Sequence, residues 1–543
     1  MNIIFGKIVD VLNRNIYDGE ILYENGMIVE IRKTDRQYDN YILPGLVDSH
    51  VHIESSMLTP QQFGKLIVSR GTVATVSDPH EIANVLGIYG INYMIDNAKL
   101  SPLKFFFGVP SCVPATAFET AGSAVTSLDV ADFLERREIV GLSEMMNYPG
   151  VIFNDTEVLL KIKSAIALGK PIDGHAPGLK GEDLKKYVGE GISTDHECST
   201  LEEAIEKIKL GMTVQIREGS AAKNFNALYK LIDLYPDQVM VCTDDSHPED
   251  IIQEGHIDKI VKMGIEKGVD IFNMLRAVSV NPVLHYKLEV GLLRPGDSAD
   301  FIVVNDLKNF NVLQTYINGN KLFDKGKLHF KLRGFPIEIN NFKREDINLS
   351  EIKVKALSEK IRVIEVEDGE LLTKSKIFTA KVENGYVVSD IEKDILKIVV
   401  LNRYDNESKP AVGFIKNIGL KQGALGTSIA HDSHNLIVVG TSDIDIVNCF
   451  QALIENKGGL VACSGNSIFS LPLEVAGLMT NKDPNQVTER YNLLKNKAHE
   501  FGSTLKAPFM TLAFMSLLVI PELKLGDKGL FDVNKFEFTE LFV

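Results

Sequence analysis

The chain has 543 residues, too many for one core, because chains beyond ~250–300 residues split into domains. Its 45% hydrophobic and 24% charged residues are ordinary for a soluble globular protein, and its formal charge of −15 argues against the basic surface that nucleic-acid binding needs. Five scattered cysteines (Cys112, Cys198, Cys242, Cys449, Cys463) with no Cys-x-x-Cys exclude a zinc ribbon and argue against a disulfide framework. The N-terminus lacks a basic segment followed by a long apolar run, and no stretch of ~18 apolar residues occurs, so neither a signal peptide nor a membrane span is expected. A cytoplasmic protein is the expectation.

Residues 1–43 alternate apolar and polar positions between turn signals, and Asn25-Gly26 followed by Met-Ile-Val-Glu-Ile predicts a hairpin. A similar texture returns at 290–335, so the two ends predict one composite β domain, a split β-sandwich. Residues 44–289 alternate short apolar runs with helical patterns. Strands are predicted at 46–53, 72–77, 103–109, 139–145, 170–175, 191–196, 212–217 and 239–245, with helices such as 154–168, 199–210 and 249–267 among them. Eight such units match a (β/α)8 barrel, whose chemistry sits at the C-terminal ends of its strands. The competing architecture is an open doubly wound sheet, but no Gly-x-Gly-x-x-Gly follows the first strand and no Walker A sequence occurs. Residues 345–543 predict a separate α+β domain. The fold class is therefore α/β: a TIM-like barrel, a split β domain and a C-terminal α+β domain.

What ends each predicted strand carries the chemistry. The first ends in His50 and His52, two apart, so both point to one face about 6–7 Å apart along the strand. The second ends in Ser-Asp-Pro-His-Glu, with Asp78, His80 and Glu81. The fourth ends at Glu144, the fifth at His175, the sixth at His196, and the eighth at Asp244 and Asp245. Any one of these could be a satisfied core residue or a helix cap, as Asp245 and Ser246 could be. Together, in a barrel, they converge on one rim. Four histidines (His50, His52, His175, His196) and two carboxylates (Glu144, Asp244) exceed one tetrahedral site and suit two metal ions. His50, His52 and Asp244 would hold one ion, His175 and His196 the other, with Glu144 between. Imidazole and carboxylate ligands without thiolate suit Mn²⁺, Fe²⁺ or Zn²⁺. Such ions lower the pKa of water to about 7, which makes it a nucleophile at neutral pH, and Asp244 or its neighbour could accept the proton.

These residues, in this order, resemble the amidohydrolase superfamily, with its strand-one His-x-His, strand-five and strand-six His and strand-eight Asp. Within it the likeness is to the microbial adenine deaminase family. It is carried by Ile-Leu-Pro-Gly-Leu-Val-Asp-Ser-His-Val-His-Ile-Glu-Ser-Ser-Met, Ser-Asp-Pro-His-Glu-Ile-Ala-Asn-Val, Gly-Leu-Ser-Glu-Met-Met-Asn, Asp-Gly-His-Ala-Pro and Cys-Thr-Asp-Asp-Ser-His-Pro, and by Ile-Ala-His-Asp-Ser-His-Asn at 429–435. The resemblance implies hydrolysis of adenine to hypoxanthine and ammonia in purine salvage, a two-metal centre of manganese or iron, and a homo-oligomer, a dimer first. Many relatives bridge their metals with a carboxylated lysine at strand four; here that strand ends in Glu144, so the bridge is assigned to glutamate.

In the mechanism so implied, hydroxide attacks C6 and Asp244 accepts its proton. His80 and Glu81, then Asp245, are the candidates for protonating the ring or the departing amine. Arg217 and Glu218, ending strand seven, are candidates for contacting the purine edge, against the alternative of a surface ion pair. His431 and His434 fit a locally hydrogen-bonded turn, or a pocket-closing or ion-binding role. Rival readings are another amidohydrolase, such as a cyclic amidase or an amino-sugar deacetylase, and a non-enzymatic barrel with structural metals. The His-x-Glu and Pro-Cys-x-x-Cys pattern of polynucleotide deaminases is absent.

Overall fold

The computed structural model describes residues 1–220, 222–334 and 338–543, in two compact units. The last residue of the 290–335 segment lies outside the described residues.

The first unit comprises Met1–His80, Asn92–Cys112 and Val125–Phe335. Both ends of this stretch build one eight-stranded sheet. Its spatial order is Lys327–Leu328, Asn320–Asp324, Val312–Ile317, Phe301–Val304, Tyr41–Pro44, Asn2–Asp10, Asn15–Glu24 and Met27–Lys33. The join is Tyr41–Pro44, which pairs antiparallel with Phe301–Val304 and parallel with Asn2–Asp10. Asn25 and Gly26 take φ of 51° and 82°, the backbone that a two-residue hairpin turn demands. Ile8, Ile21, Ile42, Phe301 and Tyr316 share one buried core, with the Phe301 and Tyr316 rings stacked at 4.5 Å.

Between those ends run eight parallel strands: Leu46–His52, Thr72–Ser77, Lys104–Val109, Ile139–Met145, Ile172–Gly174, Thr194–Asp195, Thr213–Arg217, and Val239–Cys242 continued by Asp244–Asp245. Ladders join the first five in order, and the sixth to the eighth in order. The eighth returns to the first, with Asp244 opposite Val51 and Asp245 opposite His52. Strands five and six lack a ladder but meet where Ser193 N donates to Ile172 O at 2.8 Å. Gly174 permits that approach, since a Cβ there would collide with the Thr194 carbonyl. The strands are short and almost wholly buried, as strands covered on both faces must be. The intervening helices start at side-chain caps: Thr126 with Asp129, Asp155 on Val158 N, and Thr200 on Glu203 N.

A buried ion pair ties the ends of strands five and six. Lys207 and Asp195 are both fully buried, 3.0 Å apart. Lys207 Nζ also donates to Ala176 O at 2.8 Å, and Asp195 accepts from the N–H groups of Ala176 and Glu197 at 2.9 Å each. The pair thereby holds the residues that follow His175 and His196. Lys207→Met would leave Asp195 charged and uncompensated, an expected loss of about 3–5 kcal/mol in denaturant unfolding.

The second unit comprises Glu81–Ile91, Val113–Ala124 and Pro336–Val543. Its eight-stranded sheet runs Lys374–Thr379, Lys360–Glu365, Ala411–Lys416, Ile395–Leu401, Leu436–Gly440, Ala424–Thr427, Gly459–Ser464 and Ser467–Pro472. The helix Asp443–Glu455, capped by Ser442 on Asp445 N, packs its Ile446, Phe450 and Leu453 into the core with Val399, Leu401 and Val438. The segment Val113–Ala124, distant in the chain, belongs here for physical reasons. Phe118 nests among the rings of Phe531, Phe536 and Phe538, and Thr120 N donates to Asp527 at 3.0 Å.

Lys524 in this unit is buried, its Nζ donating to the carbonyls of Leu371 at 2.9 Å and Phe514 at 3.1 Å. Burial pushes its pKa down from 10.5 to about 7. Between those values the unfolded chain holds a proton that the folded chain has released, so stability is expected to climb with pH there by about 1.4 kcal/mol per unit. Lys524→Met should flatten that climb in unfolding titrations across the range.

Candidate metal centre

The first unit gathers the strand-end residues at one buried spot. His50 and His52 present their Nε2 atoms to each other at 3.2 Å. Asp244 Oδ1 lies 3.6 Å from His50 Nε2 and 3.2 Å from His52 Nε2. The His50 ring stacks on that of His196, centroids 4.3 Å apart. Glu144 stands in the middle. Its Oε1 is 3.3 Å from His52 Nε2 and 3.3 Å from His80 Nδ1, and its Oε2 is 2.7 Å from His175 Nδ1 and 3.1 Å from His196 Nε2. Ligand atoms group within 4.8 Å as His50, His196 and Asp244; as Glu144, His175 and His196; as His52, Asp244 and Asp245; and as His52, Asp78, His80 and Glu144.

This donor set fits divalent cations. Two imidazole nitrogens aimed at one point cannot both carry protons, but both can bind a cation placed there. Burial works against charge on Glu144, yet the His175 charge and hydrogen bonds from His175, His196 and His52 hold its carboxyl well below the ordinary range. Asp244 is held low in the same way, by His50, His52 and the Arg217 charge against burial. Burial pulls His175 down, but Glu197 and Glu144 outweigh it and push it up to about 9. A field that draws protons onto buried imidazoles also attracts metal ions.

Neighbouring groups orient the ligands. His52 Nδ1 is 3.1 Å from the Asp78 carbonyl, which fixes that nitrogen as the N–H and leaves Nε2 free to ligate. Asp48 accepts from Thr243 N at 3.1 Å and Thr243 Oγ1 at 2.5 Å, and so joins the first strand to the residue before Asp244. Asp244 itself takes a φ of 55°, a left-handed backbone uncommon for aspartate. Beneath the centre, Asp173 accepts from Thr194 Oγ1 and Tyr286 Oη at 2.8 Å each, and burial raises its pKa to about 6.

All six expected ligands (His50, His52, Glu144, His175, His196, Asp244) are thus brought together, and His80 joins them. Asp245 pairs its carboxylate with Ser55 Oγ. Arg217 is held by carboxylates: its Nη1 donates to Asp244 Oδ2 at 2.8 Å, and Nη1 and Nη2 fork onto Glu197, the latter at 3.0 Å. Glu218 lies 3.9 Å from both Lys223 and Lys259. A guanidinium this deep needs carboxylates around it. Glu197, 3.6 Å from His175 Nδ1 and 3.5 Å from His196 Nε2, escaped sequence reading. Its signal was its position directly after His196, with Arg217 one strand on. Glu81 lies in the second unit; His431 and His434 do form the expected turn, at 431–434, and from it both reach the Glu81 carboxylate.

Residues 41–322 match the amidohydrolase family model, and residues 370–537 match that of the adenine deaminase C-terminal domain. The chain is 57% identical to the adenine deaminase of Methanosarcina acetivorans, over 99% of both chains. It is 48% identical to the adenine deaminase of Parabacteroides distasonis, over 100% of this chain and 99% of that one. Identity to the adenine deaminase of Borreliella afzelii is 47%, over 98% of each. With a mixed-ligand centre at the ends of parallel strands and likeness of this extent along its whole length, the chain belongs to the adenine deaminase family of the amidohydrolases.

Proposed function

We propose that the chain hydrolyses adenine to hypoxanthine and ammonia, as a step of purine salvage. The observation that carries this reading is one buried carboxylate, Glu144, with four imidazoles around it and Asp244 alongside, in a chain about half identical to adenine deaminases throughout. His50, His52, His175, His196, Glu144 and Asp244 would hold two divalent ions, Mn²⁺ or Fe²⁺ before Zn²⁺. Bound there, such ions supply water ionised near neutral pH and polarise the base.

The chain's own residues then handle protons. Asp244 is ionised, so it can accept the proton of the attacking water, while Arg217 holds its other oxygen in place. Addition at C6 turns the C6–N1 double bond into a single bond, so N1 takes up a proton; collapse then returns the C6–OH proton to the protein and breaks the bond to the amine, which must gain a proton to depart as ammonia. His80, its Nδ1 held 3.3 Å from both Asp78 and Glu144, is our first candidate to give it. Glu81, next in the chain, and Asp245 are further candidates for proton handling. Glu144 and Asp244 are therefore assigned both ligand and catalytic roles.

A cytoplasmic homodimer is the form we propose; the thiol state of all five cysteines and family membership favour it. Among the described residues no helix is long and apolar enough to cross a membrane. The test is ammonia release from adenine by manganese- or iron-loaded protein, with and without chelator. Inertness toward adenine with turnover of a cyclic amide would transfer the assignment to that class.

A further inference from the structure

Within the second unit, Glu81 is 3% exposed and each of its carboxylate oxygens meets a histidine. His431 Nδ1 lies 2.8 Å from Oε1, and His434 Nε2 is hydrogen-bonded to Oε2. These histidines lie 350 and 353 residues further along the chain. We propose that His431 and His434 are positioning residues, which grip Glu81 by both oxygens and set its carboxylate for the proton handling assigned to it above. The inference rests on that assignment.

Three observations support it. First, buried polar atoms are nearly all hydrogen-bonded, and the one hydrogen bond of the His434 ring among the described residues is to Glu81. His434 is 1% exposed, and its Nδ1 has no hydrogen-bond partner among the described residues, so Glu81 is the acceptor its ring serves. Second, the grip is rigid. The His431 ring stacks on Phe514 at 4.5 Å with planes 10° apart, and His431 N donates to Ala513 O at 3.1 Å. His434 holds a left-handed φ of 55°, closed by its N–H on Ala430 O at 2.7 Å. The intervening Ser433 carbonyl accepts from Tyr404 Oη at 2.6 Å, and Asn435 Nδ2 reaches Ser433 Oγ at 3.2 Å. A costly backbone conformation held by so many anchors is a mark of functional geometry. Third, burial pushes His434 down to about 4 against the pull of Glu81, so its ring is a neutral N–H donor. A histidine on each oxygen, His431 on one and His434 on the other, fixes the rotation of the carboxylate.

The test is a double-mutant cycle on the metal-loaded enzyme with adenine. Glu81→Gln is expected to lower kcat ~10²-fold or more, in the range of a lost proton-transfer group. His434→Phe is expected to lower kcat ~10- to 100-fold with KM nearly unchanged, as removal of orienting partners does. His434→Gln, which restores an N–H donor, should recover most of that loss. In the Glu81→Gln background, His434→Phe should have no further effect. A multiplicative loss in that background, or equal losses for Phe and Gln, would overturn the positioning role while leaving Glu81 its own. A fully active Glu81→Gln would remove the assignment of Glu81 and the inference with it, whereas a wild-type chain inert toward adenine removes the substrate reading itself. If His434→Phe fails to fold, the same cycle run on His431→Leu and His431→Gln, at the other oxygen, decides by the same outcomes.

Discussion

Glu144→Gln is expected to lower kcat/KM for adenine on the order of 10³-fold or more, about 4 kcal/mol at 1.36 kcal/mol per tenfold, and to deplete bound metal. Glutamine keeps the length and volume of the side chain, so packing is preserved. It removes the negative charge, however, and replaces one acceptor oxygen by an amide donor. Both oxygens are in use: Oε1 at 3.3 Å from His52 and from His80, and Oε2 at 2.7 Å from His175 and 3.1 Å from His196. Whichever oxygen becomes NH₂, two imidazoles face a donor where they faced an acceptor. The centre also loses one of the charges that neutralise two divalent ions. Metal per chain by elemental analysis, read beside ammonia release, checks the result. A Glu144→Gln protein with full metal and full rate would place the bridge elsewhere.

Asp244→Asn removes the proton acceptor. The amide oxygen of asparagine can still ligate a cation from the Oδ1 position beside His50 and His52, but it cannot take a proton from water, and the amide NH₂ then meets Arg217 Nη1 where Oδ2 accepted at 2.8 Å. The expected loss is ~10²–10⁴-fold in kcat, the contribution of a positioned acid–base group. Metal content should stay near that of the wild type. The left-handed backbone at this residue, φ 55°, favours the substitution, since asparagine tolerates that conformation as well as aspartate does. A variant within a few-fold of wild-type kcat would shift the proton acceptor to another group, with Asp245 the next to replace.

Much of the centre could be read before any coordinates because its logic is local. The parallel strands are short apolar runs, and six of the eight end where the apolar pattern stops at a histidine or carboxylate. Barrel topology then needs only the strand order to bring those ends together, and the eighth strand does return to the first, with Asp245 opposite His52. The Asn25-Gly26 turn was legible for the same reason: it depends on residues within a few positions of one another.

The partners of buried charges were not legible. Arg217 read as either a substrate contact or one half of an ion pair, and the carboxylates it meets, Glu197 and Asp244, are a matter of which side chains lie across a strand and a loop. Folding places Lys207, fully buried, on Asp195, a pairing that no local pattern announces. His431 and His434 looked like a self-contained turn, yet their acceptor is a carboxylate some 350 residues earlier.

Residue order alone therefore settled the type of chemistry, because ligand-capable side chains at the ends of short apolar runs announce themselves one strand at a time. Folding decided how those side chains are used: which oxygen meets which imidazole, which cation neutralises which carboxylate, and which donors steady Glu81. Pairings of that kind depend on distances of a few ångströms between segments that the linear chain keeps hundreds of residues apart.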